Sequence, residues 1–242
     1  MVAKISQNLS SNSLFHFING LEWLLDILEN GFKARYCLEN FPKVNIPLAI
    51  PMKCFCDIPL GMIKKHIFRY GKFGIGVKKD YAKKHGITPV NYVHENSSIL
   101  TRLVLALEDK DDELAKFLPY FKRYSEKIKR DGKQMTRRYY DEREWRYVPP
   151  NSDFINLRGI TSIKQKEDKI KSENVRLQKQ RDKYRLKLDW PDITYIFVKG
   201  DSDVDQVINS IMNIDKKNQK RKQEKLRLVS KIITAKRIER DF

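Results

Sequence analysis

The sequence predicts an α+β fold with a central mixed β-sheet flanked by helices. Short apolar runs that alternate with polar residues are interspersed with stretches whose apolar residues recur at helical spacing, without the regular succession of a parallel βαβ fold. The chain has 242 residues, of which 40% are hydrophobic and 11% aromatic. This size and composition suffice for one substantial core, so we expect residues 1–242 to form a single domain.

The elements of the first third follow from periodicity and from helix start and stop signals. Four leucines between residues 21 and 28 fall at helical spacing, and Asn30-Gly31 is a typical left-handed helix stop. Asp57 with Pro59 resembles a helix start. The predicted order is strand 14–17, helix 21–29, strand 32–36, a loop between Pro42 and Pro51, strand 52–56 and helix 61–70.

The rest of the chain continues to alternate strands and helices. The glycines of Gly71-Lys72-Phe73-Gly74-Ile75-Gly76 are wrongly spaced for a phosphate-binding loop, so we interpret this stretch as a turn entering a strand. The predicted order is strand 73–77, a short helix ending at Gly86, strand 90–93, a helical region over 97–130, a basic helix before the strand of Glu144, strand 193–198 and helix 204–212.

The formal net charge of +18 is concentrated in two segments. Residues 164–187 carry a net charge of +6, and residues 216–242 carry +8. We interpret 161–187 as a basic insertion, either a projecting helix or a mobile loop, and 216–242 as a basic C-terminal segment. Clustered cations favour an acidic partner, either nucleic acid or an acidic protein surface, but basic solvated helices without a partner would give the same pattern.

Cysteine usage and hydropathy indicate a reduced, cytoplasmic environment. The three cysteines, Cys37, Cys54 and Cys56, are a poor disulfide framework, and packed apolar roles are expected for Cys54 and Cys56. No histidine has a paired spacing with a cysteine, so no metal site is predicted. No apolar run is long enough to span a membrane, and the amino terminus lacks a secretory signal pattern.

The stretch Arg143-Glu144-Trp145-Arg146-Tyr147-Val148 places an acid among cations and rings on a predicted strand. Glu144 is either a positioned catalytic group or a member of an ion-pair network with Arg143, Arg146 or a neighbour. The surrounding aromatic residues could stack on nucleobases, although alternating aromatics on a strand are usually half core. The candidate nucleic-acid-binding residues are Arg137, Arg138, Arg143 and Arg146.

Six blocks of the chain carry a family resemblance: Ser13 to Phe17, Leu24 to Phe32, Arg35 to Cys37, Ile50 to Leu60, Tyr70 to Val77, and Glu144-Trp145-Arg146. In this order they resemble the AbiGi family of abortive-infection proteins. Members of this family are antitoxin components of bacterial phage-resistance systems. The resemblance implies a role in phage defence beside a cognate toxin.

The chain also has a histidine on its first predicted strand, a helix that ends in Asn-Gly, a later strand bearing aromatic residues and a late strand carrying Glu. This order is a second, more distant resemblance, to ADP-ribosyltransferase-like proteins that bind NAD, and it implies an ADP-ribosyltransferase-like fold. It implies that His16 hydrogen-bonds the nicotinamide ribose, that Tyr70 or Tyr81 stacks on the nicotinamide ring, and that Glu144 is the catalytic carboxylate. The alternative for His16 is a hydrogen-bonded residue at the sheet surface.

These observations leave three hypotheses for function. The first is an antitoxin or regulator that binds a partner toxin or nucleic acid. The second is an NAD-dependent ADP-ribosyltransferase-like enzyme that modifies nucleic acid or protein. The third is a basic domain that binds nucleic acid without sequence preference.

Overall fold

The computed structural model describes residues 10–41, 46–99, 101–102, 105, 116–130, 132–150, 152–180, 184–214 and 221–241. The protein is α+β, and nine of its strands belong to one mixed sheet. Two compact units make up the fold: Met1–Phe32, Phe55–His85 and Lys187–Phe242 form the first, and Lys33–Cys54 and Gly86–Leu186 form the second. The single-domain interpretation of residues 1–242 stays a prediction.

The described strands and helices follow one another closely along the chain. The strands are β1 Ser13–Ile18, β2 Phe32–Lys33, β3 Arg35–Phe41, β4 Ile46–Cys56, β5 Phe73–Lys78, β6 Thr88–Pro89, β7 Asn91–Val93, β8 Phe121–Arg123, β9 Ser125–Arg130, β10 Lys133–Arg138, β11 Glu144–Tyr147, β12 Ile155–Asn156, β13 Arg185–Leu186, β14 Ile193–Val198 and β15 Ile232–Thr234. The helices are α1 Leu21–Asn30, α2 Lys64–Tyr70, α3 Lys79–Lys84, α4 Ile163–Lys179, α5 Asp201–Asn213, α6 Lys222–Val229 and α7 Ala235–Asp241. Short 3₁₀ turns cover Leu60–Met62, Leu118–Tyr120, Tyr139–Glu142 and Trp190–Asp192.

The first unit is built on four strands in the order β15-β14-β5-β1. Neighbouring strands are antiparallel except β14 and β15, which are parallel. Phe15 and Phe17 on β1 pack with Phe197 on β14 in an apolar cluster that also takes in helix α7. The C-terminal part of the chain, predicted only as a basic segment, therefore supplies an edge strand and a core helix.

Glycines on β5 make room for these rings, because a Cβ atom at Gly76 would lie 3.0 Å from the Phe15 ring. The interpretation of 71–76 as a turn entering a strand is confirmed. The stop of α1 is confirmed too: Gly31 has φ 75°, and its N–H donates to the Ile27 carbonyl at 2.8 Å.

The second unit contains the antiparallel pair β3–β4, with β12 also paired to β4. Its core cluster contains Leu48, Ile50 and Met52 of β4 together with Val93 and Leu118. Strands β9 and β10 form a separate two-stranded sheet.

Helix α4 lies in the basic segment 161–187, which was predicted as a projecting helix or a mobile loop. Its Leu177 packs with Ala34 and Tyr184. The Asn174 side chain accepts from the Tyr36 N–H at 2.7 Å and donates to the Tyr36 carbonyl at 3.3 Å. This amide therefore pairs with both backbone groups of Tyr36, as a residue of a neighbouring strand would, and one face of the helix is packed.

Three expectations are wrong where the structure describes the residues. The predicted loop between Pro42 and Pro51 is strand from Ile46 onward; residues 42–45 lie outside the described part. Proline lacks only the N–H, and the carbonyl of Pro47 still accepts from the Leu157 N–H at 2.9 Å.

The predicted helical region 97–130 is helical only in part, at 98–99, 101–102 and 105 among the described residues. It is strand over 121–123 and 125–130. Residues 100, 103–104 and 106–115 lie outside the described part. The predicted basic helix before Glu144 is likewise strand β10 and a 3₁₀ turn. The lysines and arginines of this stretch have good helix propensity, but β10 pairs with β9 across a turn that contains Gly132 at φ 77°, and the two strands form a hairpin. Within the described residues, no helix is long and apolar enough to cross a membrane.

Candidate functional site

Strand β11 places Glu144 and Arg146 on one face, because residues two apart in a strand point to the same side. The two side chains are almost completely buried, with Arg146 0% exposed and Glu144 6% exposed. The Arg146 Nε donates to the Glu144 Oε1 at 2.5 Å. The ion-pair alternative for Glu144 is therefore present in the structure.

The remaining donors of Arg146 are also satisfied. Its Nη1 donates to the Pro119 carbonyl at 2.6 Å, and its Nη2 donates to the Glu39 Oε1 at 2.6 Å. A planar guanidinium with donors fixed on three partners holds β11 against β3 and the chain before β8.

Lys122 and Glu142 extend the pair into a longer chain of charges. The Lys122 Nζ donates to the Glu144 Oε2 and, at 3.1 Å, to the Glu142 Oε2. The Glu142 Oε1 accepts from the Arg137 Nη2 at 2.7 Å. We call the resulting set the ion network; its members, in order of contact, are Arg137, Glu142, Lys122, Glu144, Arg146 and Glu39. Cations and anions alternate along it, so each buried charge has an opposite neighbour.

This arrangement fixes the charged state of Glu144. Burial, the largest effect, would raise the pKa of the carboxyl, but the positive charges of Arg146 and Lys122 and their hydrogen bonds together lower it to about 2. Burial also raises the pKa of the Cys54 thiol well above its usual value, and the nearby Glu144 carboxylate acts in the same direction. Both oxygens of Glu144 are thus held by cations in the ionised form.

The ion network lies at the base of the hairpin formed by β9 and β10. Arg137, on β10, joins the network directly, and its guanidinium lies 4.6 Å from the centre of the Tyr139 ring. The Tyr139 hydroxyl donates to the Glu126 Oε2 at 2.6 Å, and the Arg123 Nη1 donates to the Glu126 Oε1 at 2.6 Å. These contacts connect both strands of the hairpin to the neighbouring residues of the second unit.

Beyond its base, this hairpin is exposed and positively charged. The register pairs Thr136 with Lys127 and Arg138 with Ser125, which puts Lys127, Thr136 and Arg138 on one face with Lys129. These four residues, and Lys133 near the turn, are exposed. We call residues 125–138 the basic hairpin. Met135, on the other face, is 47% exposed and pairs with Ile128.

The four arginines predicted to bind nucleic acid have different environments. Arg146 is internal, and Arg137 is half-buried in the ion network. Arg138 is exposed, and its Nε donates to the Asp141 Oδ1 at 2.7 Å. Arg143 is half-buried in the left-handed conformation, with φ 42° and ψ 53°, where the 3₁₀ turn changes into β11. Their role in nucleic-acid binding stays a prediction.

The residues predicted to bind NAD lie in the first unit, whereas Glu144 belongs to the second. The His16 ring packs edge-on against Phe32 and also contacts Phe55. Tyr70 packs against the apolar cluster of β1 and α7. Tyr81 is 2% exposed, and its hydroxyl donates to the Lys187 carbonyl at 2.6 Å. The catalytic and cofactor roles of these residues stay predictions.

In the described part of the chain, no three His, Cys, Asp or Glu side chains group so that they could hold a metal ion. Cys37, Cys54 and Cys56 are thiols that are not joined in disulfides. Sequence reasoning missed Glu39, Lys122 and Glu142. Glu39 and Lys122 are distant in sequence from their partners, but Glu142 lies two positions from Glu144 and was available as a local signal.

Comparisons with known proteins agree with one another. The family model described as abortive phage resistance protein AbiGi, antitoxin, matches residues 30–199. A protein of Lactococcus lactis subsp. cremoris named "Abortive phage resistance protein AbiGi" is 29% identical over 251 residues, which cover 88% of this chain and all of that protein. No solved structure matches. The chain therefore belongs to the AbiGi family, the antitoxins of an abortive-infection phage-resistance system.

Proposed function

We propose that the protein acts as an antitoxin by binding its cognate toxin directly, with the basic hairpin as the contact surface. Membership of an antitoxin family implies a cognate toxin as partner. The observation that carries the proposal is a two-stranded hairpin whose base is fixed by buried ion pairs while most of its remaining residues are exposed.

The charge of the basic hairpin selects an acidic partner surface. Among its described side chains, four cations are exposed: Lys127, Lys129, Lys133 and Arg138. The described side chains also include one carboxylate, Glu126, which is held by Arg123 and Tyr139. An isolated two-stranded hairpin is marginally stable in water, so a partner that covers it gains from burying the Ile128–Met135 pair as well as from charge. A toxin with an acidic groove fits both properties.

The ion network supports a binding role over catalysis. A carboxylate that stabilises a developing positive charge needs free oxygens facing the substrate. Here the Glu144 Oε1 is held by Arg146 and the Oε2 by Lys122. We propose that Glu144 positions the base of the hairpin.

The test is co-purification of the tagged protein with the product of the neighbouring gene, made in the same cells and treated with nuclease. In the test variant, Lys127, Lys129 and Lys133 are all changed to Gln. The matched control changes three exposed lysines of helix α4 to Gln: Lys164, Lys171 and Lys179. Cell growth in the presence of the toxin is scored in parallel.

We expect the wild type and the α4 control to retain the toxin and protect growth, and the hairpin variant to lose both. Equal loss in both triple variants would mean that general positive charge, and not the hairpin, attracts the partner. Retention by the hairpin variant would place the contact elsewhere. Capture that disappears on nuclease treatment would identify nucleic acid as the direct partner.

The transferase alternative has a separate test. If the protein consumed NAD through Glu144, the wild type would release nicotinamide from NAD and Glu144→Gln would not. We expect no release from either protein because the carboxylate is neutralised by Arg146 and Lys122. Nicotinamide release by wild type alone would overturn this assignment.

A further inference from the structure

A cavity of about 430 Å³ lies in the first unit, away from the basic hairpin and the ion network in sequence. Its lining comes from the end of β5, the 3₁₀ turn before β14, helix α6 and the chain that enters β15. The lining residues are Lys78, Trp190, Pro191, Glu224, Arg227, Ser230 and Lys231. A volume of this size is within the range of sites for small molecules.

Positive charge predominates around this cavity. Lys78, Arg227 and Lys231 contribute three cations, whereas Glu224 contributes one carboxylate, which pairs with Arg221 at 3.8 Å. Burial and the charge of Lys78 lower the pKa of Lys231, and Asp192 acts in the opposite direction. A bound anion would relieve the repulsion between the two lysines.

Trp190 gives the cavity a fixed apolar wall. The residue is 8% exposed, and its indole N–H donates to the Leu28 carbonyl at 3.0 Å. The Arg221 guanidinium lies 4.9 Å from the centre of the ring. The Lys231 Nζ donates to the Trp190 carbonyl at 3.2 Å, which orients the ammonium beside the same wall.

We propose that this cavity binds a phosphate-bearing small molecule, with Lys78, Arg227 and Lys231 on the phosphate and Trp190 against its remaining part. The Ser230 hydroxyl, which also lines the cavity, donates to the Arg227 carbonyl at 2.8 Å, so the donors for a phosphate are the three cations. Arginine and lysine side chains together are suited to phosphate oxygens. This site is independent of the toxin contact proposed above, so either can fail without the other.

The experiment is titration calorimetry of the full chain with two probes, pyrophosphate and ADP, at fixed ionic strength. The test variant is Lys78→Gln with Lys231→Gln, and the matched control is Lys65→Gln, an exposed lysine of α2 in the same unit. We expect both probes to bind the wild type and the control, and the test variant to bind at least about tenfold more weakly. Tighter binding of ADP than of pyrophosphate would assign the Trp190 wall to a nucleoside; equal binding would assign the site to the phosphate alone.

Loss of affinity through Lys65→Gln to the same extent would show general charge attraction and overturn the proposal. Absence of binding to the wild type at millimolar probe would overturn it as well. If the double variant does not fold by circular dichroism, Arg227→Gln, an exposed position, replaces it with the same expected direction.

Discussion

Replacement of Glu144 by Gln should destabilise the protein strongly, because it removes the negative charge at the centre of the ion network. The carboxyl pKa falls from 4.5 to about 2 in the folded protein, since Arg146 and Lys122 outweigh the cost of burial. A shift of that size corresponds to about 3 kcal/mol in favour of the charged form. Gln keeps the shape of the side chain and loses this contribution, while Arg146 stays buried with one anion fewer.

The assay is thermal and urea unfolding followed by circular dichroism. For a chain of this size, we expect the midpoint temperature to fall by roughly 6–12 °C. The matched control is Glu167→Gln, which changes an exposed carboxylate on α4. Surface substitutions of this kind usually change stability by less than about 0.5 kcal/mol.

The reasoning is refuted if Glu144→Gln and Glu167→Gln have the same effect. That result would mean that the ion network does not stabilise the second unit. If Glu144→Gln abolished protection against the toxin while leaving stability unchanged, Glu144 would have a functional role that its buried contacts do not explain.

Three further predictions follow from buried polar groups of the second unit. Because the pKa of Glu144 is lowered in the folded protein, its contribution to the free energy of unfolding is complete above about pH 4.5 and is lost as the pH falls toward about 2. In urea unfolding at several pH values, the stability of Glu144→Gln should therefore depend less on acid pH than that of the wild type. The pKa of the Cys54 thiol is raised by burial first and by Glu144 second. At about pH 8, Cys54 should therefore react with iodoacetamide more slowly in the folded protein than in urea, as measured by peptide mass spectrometry. Equal rates would contradict the raised pKa of this thiol in the folded protein. Asn174→Ala should cost about 1–3 kcal/mol in urea unfolding because the Tyr36 N–H loses its acceptor, and a cost no larger than that of Val175→Ala, at an exposed position on the same helix, would argue against the role of the amide.

Strands and helices that are determined by residues close together in sequence could be predicted from the sequence. Strand β14 was expected at 193–198 and is observed at Ile193–Val198, because every residue of this run is β-branched or aromatic and such residues favour strands. Helix α1 was predicted from its leucines and from Asn30-Gly31, and its stop depends on the single left-handed residue Gly31. In both cases the determining residues are neighbours in sequence.

The basic hairpin was missed although the sequence carries a local signal for it, because Asp131-Gly132 is a dipeptide typical of two-residue hairpin turns. The lysines, arginines and Glu126 on either side suit a helix, and the pairing of Ser125–Arg130 with Lys133–Arg138 outweighs that preference. The ion network was predicted in part: Glu144 and Arg146 share a strand face. Lys122 lies 22 positions from Glu144, and Glu39 lies 107 positions from Arg146, so the fold alone brings them together.

Charged residues of the second unit fall into two groups: those buried in the ion network, which stabilise the unit, and those exposed on the basic hairpin, the proposed toxin contact. The ion network has three cations and three anions, so its burial leaves no net charge for an external ligand to neutralise. The surplus that gives the chain its net charge of +18 must therefore lie outside the network, and the exposed lysines of the basic hairpin, Lys127, Lys129 and Lys133, belong to it. Substitutions in the network act on stability, because they leave a buried charge without its neighbour. If the basic hairpin is the toxin contact that we propose, substitutions at its exposed lysines act on association, because solvated single charges contribute little to folding but steer a partner. The Glu144 motif that distinguishes this sequence then supports the proposed contact surface, which lies in the strands that precede it.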